Sequence, residues 1–334
     1  MERKEMIKKL FKPFAIGMSA LMLLTTVQMP NVEAASGPKA TSISSVSATK
    51  TSKKAYVKLR WRSTKSGQYY QIGNRSAKKS WKYWKTVGYS SYNRAKYTKA
   101  GAYKVVRSGN YYKVYRYVYT YKAVTGRGRV LSKTLSATYG KTYYMVVRSY
   151  QNGKYSAWSG AKKVTAPIRG VKYSVSDGRE TCLIKVNNPN GVAVRVDVKY
   201  YFTINGRNTY ARTKRLYCLP SGKSGYVEID KDDDWPYGTK TKYSIKTYRS
   251  SYTDLSKYLK ISYRRVGDEY IATVYNSGTR TMNYIDLAVL MYRNGRLVDV
   301  GDEDFRSLGA KRSFRFDADA EGQTIKTYIN GAFS

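Results

Sequence analysis

The densest acidic run, Asp230-Lys231-Asp232-Asp233-Asp234, places Asp230, Asp232 and Asp234 at the first three ligand spacings of a calcium loop. The run then departs from that loop. Trp235 stands where the loop needs glycine, and Thr241 where it needs a bidentate glutamate. It reads as a solvated turn. Asp302-Glu303-Asp304 is a second, weaker cluster. Paired carboxylates can hydrolyse glycosides. Here they fall on expected turns of small modules, without a larger scaffold to hold a substrate. The chain has no histidine at all. That excludes Ser-His-Asp and Cys-His catalysis, imidazole metal ligands and imidazole pH switches. No glycine-rich phosphate loop and no Cys-x-x-Cys motif occurs. The expectation is a non-enzyme with no metal site and no cofactor.

Cys182 and Cys218 are the two thiols. An exported chain can keep a disulfide. A Cys182–Cys218 bridge would add roughly 3 kcal/mol on the chain-entropy model. Two buried free thiols are the other reading.

The strongest chemical signal is a charge bias. Between Glu33 and Asp177 there is no acidic residue, yet those 143 positions hold 31 Lys or Arg, 20 Tyr and four of the five Trp. Most soluble domains mix both signs on their surface. A single sign must carry its own repulsion, and this points to a polyanionic partner. Residues 36–166 carry a net charge of +29, against +9 for residues 167–334. The candidate polyanion contacts are Lys78, Lys79, Lys82, Lys85, Lys104, Arg107, Lys113 and Arg116. Tyr115, Tyr117, Tyr119 and Tyr121 follow at period two, so one continuous strand would line them up with Lys113 as an aromatic platform for sugars or bases. Cross-strand tyrosine packing is the plainer reading of the same spacing.

The elements that must position these groups read as strands. In Tyr56–Arg62, Val57, Leu59 and Trp61 alternate with polar residues, the signature of a strand with one buried face. Residues 140–150, GKTYYMVVRSY, read as another, followed by a turn at Asn152-Gly153 and a further strand. GKTYYMVVRSY, the glycine turn and SAWSGAKKV together resemble the last two strands of a bacterial fibronectin type III domain. Trp61 matches that family's buried tryptophan. Tyr143 matches its tyrosine corner, where the hydroxyl returns to the backbone. The resemblance implies a non-catalytic extracellular module over residues 36–166. Residues 63–135 exceed what the family needs. Gln68–Ile72 or Ala102–Arg107 would supply the third strand, Trp81–Val87 or Tyr111–Tyr121 the next, with extra strands extending a sheet.

Beyond residue 166 the chain repeats itself. Asn205-Gly206-Arg207 recurs as Asn294-Gly295-Arg296, and Ile245-Lys246-Thr247-Tyr248 as Ile325-Lys326-Thr327-Tyr328. At the offset of the first anchor Asn187 aligns with Asn276 and Leu219 with Leu308. Ile271 and Ser307 then stand where the first copy has Cys182 and Cys218. A nine-residue insertion around Lys231–Thr239 accounts for the change of offset. Each copy reads as a small antiparallel sandwich, and the pair loosely resembles FxLYD-type extracellular modules. That resemblance implies an envelope-associated accessory role.

Residues 1–34 have the layout of an export signal: five basic residues, an uncharged apolar stretch Ala15–Val27, and Val32-Glu33-Ala34 for cleavage. Thereafter no stable membrane insertion is expected. The expected product is all-β, with three tandem sandwiches at 36–166, 167–254 and 255–334. It is secreted or associated with the cell wall. Its partner is an anionic polymer of the envelope: a teichoic acid-like wall polymer, an acidic glycan or nucleic acid. The alternatives are a structural spacer or adhesin module, and a carbohydrate-binding accessory module using Tyr and Trp.

Overall fold

The computed structural model describes residues 38–63, 65–89, 102–178, 181–204, 206–231, 239–267, 269–319 and 324–334. The expected export signal, Asn205, and Asp232 through Trp235 lie outside them. Regular structure among the described residues is β-strand, apart from one 3-10 turn at Ser256–Tyr258.

The first eleven strands are β1 (Ile43–Lys50), β2 (Ala55–Trp61), β3 (Tyr69–Arg75), β4 (Ser80–Gly88), β5 (Tyr103–Ser108), β6 (Tyr111–Val118), β7 (Tyr121–Ala123), β8 (Ser132–Ala137), β9 (Thr142–Gln151), β10 (Lys154–Tyr155) and β11 (Lys162–Thr165). One sheet runs β1-β2-β8. The other runs β10-β9-β3-β7, with β11 also paired to β9. The alternation in β2 does what period two demands: Val57, Leu59 and Trp61 are buried and meet Ile72, Met145 and Val147 from the facing sheet. At the Asn152-Gly153 turn both residues have positive φ, 48° and 78°, as a tight two-residue hairpin requires. The Tyr143 hydroxyl accepts a hydrogen bond from the backbone N–H of Thr138 at 2.8 Å.

The long middle of this segment differs from expectation. The third sandwich strand is β3, and the strand that follows it in that sheet is the short β7. Trp81–Val87, Ala102–Arg107 and Tyr111–Val118 do not extend a sandwich sheet. They form a separate three-stranded sheet ordered β4-β6-β5. It grows out of the β3/β7 hairpin: Arg75 pairs Tyr121, the Ser76 N–H donates to Thr120 O at 2.8 Å, and Ser80 then pairs Val118.

The next strands are β12 (Lys172–Asp177), β13 (Thr181–Asn187), β14 (Val194–Ile204), β15 (Arg207–Asn208), β16 (Arg212–Leu219), β17 (Ser224–Asp230) and β18 (Thr241–Arg249). The last are β19 (Leu259–Val266), β20 (Glu269–Asn276), β21 (Met282–Arg293), β22 (Arg296–Leu308), β23 (Ser313–Asp319) and β24 (Thr324–Phe333). The two sets share one strand order. Sheet β12-β13-β17 corresponds to β19-β20-β23, and β16-β14-β18 to β22-β21-β24. A buried asparagine ties each set in the same way. The Asn188 amide nitrogen reaches the carbonyls of Val192, Leu219 and Pro220 at 2.9–3.1 Å. The Asn276 amide nitrogen reaches those of Arg280, Leu308 and Gly309 at 2.8–3.1 Å.

This geometry corrects the sequence alignment of the copies. Asn188, not Asn187, is the counterpart of Asn276. Thr181 and Glu269 both pair with the terminal aspartate of the neighbouring strand, so Tyr270, not Ile271, takes the place of Cys182. The Ile-Lys-Thr-Tyr identities lie on corresponding strands but four residues out of register. Val198 pairs Ile245, whereas its counterpart Leu287 pairs Ile329. An even shift keeps the same faces inward, so the identity survives without positional equivalence.

Cys182 and Cys218 are free buried thiols, and the expected bridge is not formed. Cys182 lies near the start of β13, beside Thr241 and Asp177. Cys218 adjoins Leu219, whose carbonyl is bound by Asn188 beyond the opposite end of β13. A strand of that length separates the two by about 17 Å, beyond a bridge's span of about 7 Å. Burial pushes both thiols up to about 11, so neither is a thiolate at neutral pH.

The second and third sets pack sheet against sheet. Leu183 and Tyr226 bury against Ala288 and Leu290. The Asn330 side chain bonds both backbone groups of Tyr226, at 2.8 and 3.0 Å, and its amide also donates to Asp286 Oδ1 at 2.9 Å. Asp302–Asp304 were expected on a turn. They lie on β22, with Asp304 directly opposite Asp286. Burial is the main cause that raises the Asp286 carboxyl to about 7. Asp302 and Asp304 add to the rise, and the Asn330 bond opposes it.

An aspartate whose folded pKa is raised stabilises the fold while protonated and loses that contribution as pH climbs through the folded value. Stability should therefore fall by at most about 3 kcal/mol between pH 5 and pH 8. Denaturant unfolding at the two pH values tests this. The fall should shrink in Asp286→Asn, and an equal fall in the variant would remove Asp286 as its source.

Candidate binding surface of the acid-free segment

With no carboxylate between Glu33 and Asp177, the cations of this segment have no acidic neighbour in sequence to pair with. They sit on rings. The Arg116 guanidinium lies 3.3 Å from the Trp84 ring centroid and Lys85 lies 4.6 Å from the same ring. Arg75 lies 3.8 Å over Tyr119, Arg127 4.3 Å over Tyr150, and Arg129 4.8 Å over Tyr69. The abundance of tyrosine thus has a physical role. A ring face attracts a cation through its quadrupole but leaves the net charge intact, whereas a carboxylate would cancel it. Asp177, Asp197 and Asp230, outside this segment, form ion pairs instead.

Four side chains of the acid-free segment form a ladder on the β10-β9-β3-β7 sheet. Tyr121 stacks on Trp158 with the rings 6° from parallel. Arg148 lies 4.3 Å over Trp158 and 3.7 Å over Tyr155. Arg148 is 7% exposed and donates through Nε and Nη2 to Gln71 Oε1 at 2.9 and 2.6 Å. Burial lowers its pKa from the ordinary arginine value, and Tyr155 opposes that. The hydroxyls of Ser156 and Ser159 accept from the backbone N–H groups of Ser149 and Val147, pinning the Tyr155–Gly160 segment to β9. A glycine is needed beneath the indole: a Cβ on Gly73 would lie 2.7 Å from the Trp158 ring.

The eight predicted basic residues do not form one patch. They surround the three-stranded sheet. Its register places Lys82, Lys85, Arg107 and Arg116 on the face that carries the small core of Val87 and Val114. Lys104 and Lys113 lie on the opposite face. Lys78 and Lys79 precede β4, with Lys79 5.5 Å from the Tyr119 ring. The predicted four-tyrosine platform is also divided. β6 ends at Val118, so only Tyr115 and Tyr117 share its face. Tyr119 lies under Arg75, and Tyr121 belongs to β7 and the Trp158 ladder.

The sequence reading missed the rings that join Tyr115 and Tyr117. Cross-strand pairing sets Trp81 opposite Tyr117, with ring centroids 4.9 Å apart, and Tyr83 opposite Tyr115 at 6.0 Å. Trp81-x-Tyr83 has the same period two, and that spacing was its only local signal. Trp81, Tyr83 and Tyr117 are 41, 56 and 42% exposed.

No described helix is long and apolar enough to cross a membrane. No protein-family model matches the chain, and no curated protein matches it. Among solved structures, the FN1-FN3 domains of chicken CNTN1 align over 86% of this chain and 91% of theirs at 10% identity, with a TM-score of 0.26. Native alpha-2-macroglobulin from Escherichia coli, spanning domains MG0-NIE-MG1, aligns over 84% of this chain and 97% of that one at 10% identity, with a TM-score of 0.17. Likenesses this low carry no argument about function.

Proposed function

We propose that this chain is a non-catalytic binding protein of the cell exterior that holds an anionic polymer on its acid-free segment. The observation that carries the reading is the pairing of cations with rings. Their charge stays uncompensated and available to a partner. The strand order of the first segment, its buried Trp61 and the Tyr143–Thr138 hydrogen bond support a fibronectin type III-like module as the carrier. A phosphate-bearing wall polymer or an acidic glycan suits an exported chain of this charge. The sheet-to-sheet packing of the second and third sets favours a stiff spacer role for that half.

Retention of the mature chain on purified cell wall, with and without its teichoic acid, tests the reading. Binding to a polyanion releases counterions, so the log of affinity should fall linearly with the log of salt concentration. Retention should drop at least tenfold between low and high salt, and again when the phosphate polymer is stripped. Retention that ignores both treatments would overturn the proposal.

A further inference from the structure

The three-stranded sheet β4-β6-β5 has two unlike faces. One is closed by Val87 and Val114 with Trp84 and Tyr103 packed against them. The other carries Trp81, Tyr83, Tyr115 and Tyr117, flanked by Lys104 and Lys113. Lys104 pairs with Tyr115 across the sheet, and Lys113 precedes Tyr115 by two residues, so all six side chains share this face. The rings are tilted 43° and 76° within their pairs. They form a ridged apolar floor, largely open to water, and not one flat stack.

We infer that this face is a glycan site, taking a polymer of pyranose rings of which only some bear carboxylates. The inference rests on the anionic-polymer reading above and adds the place and the substrate class. Sugar rings have apolar faces that lie on Tyr and Trp, with hydroxyl edges that the Tyr tips can bond. The ratio of rings to charges selects among polyanions. Single-stranded nucleic acid brings a phosphate with every base and is met by a groove of cations, often with arginine. Among the described residues five rings, with Tyr111 at the far end of the same face, are served by two lysines, while Arg107 and Arg116 face the other way. That balance fits a sparsely charged chain. The same face of a second copy is disfavoured as occupant. It would bring lysine against lysine, with no carboxylate in the segment to pair them.

Titration of the whole mature chain with hyaluronan, which bears one carboxylate for every two pyranose rings, and with dextran, inorganic polyphosphate and oligo-dT tests the site. Hyaluronan should bind at least tenfold more tightly than dextran and more tightly than oligo-dT. Trp81→Ala should weaken hyaluronan about tenfold without changing its salt slope or the binding of polyphosphate. Trp81→Phe keeps a ring and should lose less than threefold, which separates a lost contact from a lost fold. Lys104→Ala with Lys113→Ala should lower the salt slope by about one unit per lysine. Hyaluronan binding equal to dextran, tighter binding of oligo-dT, or equal binding by wild type and Trp81→Ala would overturn the inference. If polyphosphate still binds in a salt-dependent way, those results leave the electrostatic reading standing. Loss of salt-dependent binding to both polyanions overturns both.

Discussion

Replacing Arg148 by alanine should cost the protein about 2–4 kcal/mol of stability. The guanidinium is sandwiched between Trp158 and Tyr155 and bonded twice to Gln71. Hydrogen bonds to charged groups contribute about 1.5–3 kcal/mol, and a desolvated cation–ring contact about 2. Desolvation of the guanidinium offsets part of this sum. Truncation would also leave a gap between two large rings and strand the Gln71 carbonyl. Arg148→Lys keeps the charge but not the planar group that stacks on both rings, so it should recover less than half of the loss. Denaturant unfolding of the three proteins gives the comparison. Arg148→Met is the decisive control. If this apolar residue of similar length is as stable as wild type, desolvation dominates and the ladder is not a source of stability.

A second large effect is expected at Asn276. Its side chain is fully buried. Its two amide N–H groups are shared among three carbonyls, and its Oδ1 accepts the Gly278 N–H at 2.9 Å. Asn276→Ala leaves those backbone groups buried without partners, at about 1–3 kcal/mol for each group left unmet. A total loss of about 3 kcal/mol is the expected result, read as a lowered denaturant midpoint. Asn188→Ala should lose a similar amount, because Asn188 makes the same set of contacts in the earlier copy. Losses below about 1 kcal/mol at both positions would show that water takes over the bonds and that the knots do not hold the sandwiches.

Stability of the interface between the copies bears on the proposed spacer role. Asn330 reaches across to Tyr226, and Tyr217 packs near Tyr284 and Phe333, with centroids about 6 Å apart. These contacts join two modules that a reading by internal repeats would treat as separate beads. The repeat was legible because identical residues recur in order. The contacts between copies were not, since they use the outer faces of strands, where each copy has its own side chains.

Much of the local structure was written in alternation. Val57, Leu59 and Trp61 declared a half-buried strand, Asn152-Gly153 a hairpin, and Tyr143 a hydroxyl returned to the backbone. The charge bias was a matter of counting. Composition and period two therefore determined the all-β class, the distribution of charge and the inward face of β2. They could not choose partners. A strand's period tells which side chains point inward but not which other strand it joins, and pairings between distant residues depend on the whole topology. The tertiary structure alone decided that Gln68–Ile72 leads into the sandwich while Ala102–Arg107 joins a separate sheet. It separated Cys182 from Cys218 by the length of a strand. It divided Tyr115 and Tyr117 from Tyr119 and Tyr121 at the end of β6, and it set Trp81 and Tyr83 beside the first two. It also showed where several described cations of a segment with no acid go: Arg75, Arg116, Arg127, Arg129 and Arg148 lie on aromatic faces, which hold a charge without cancelling it.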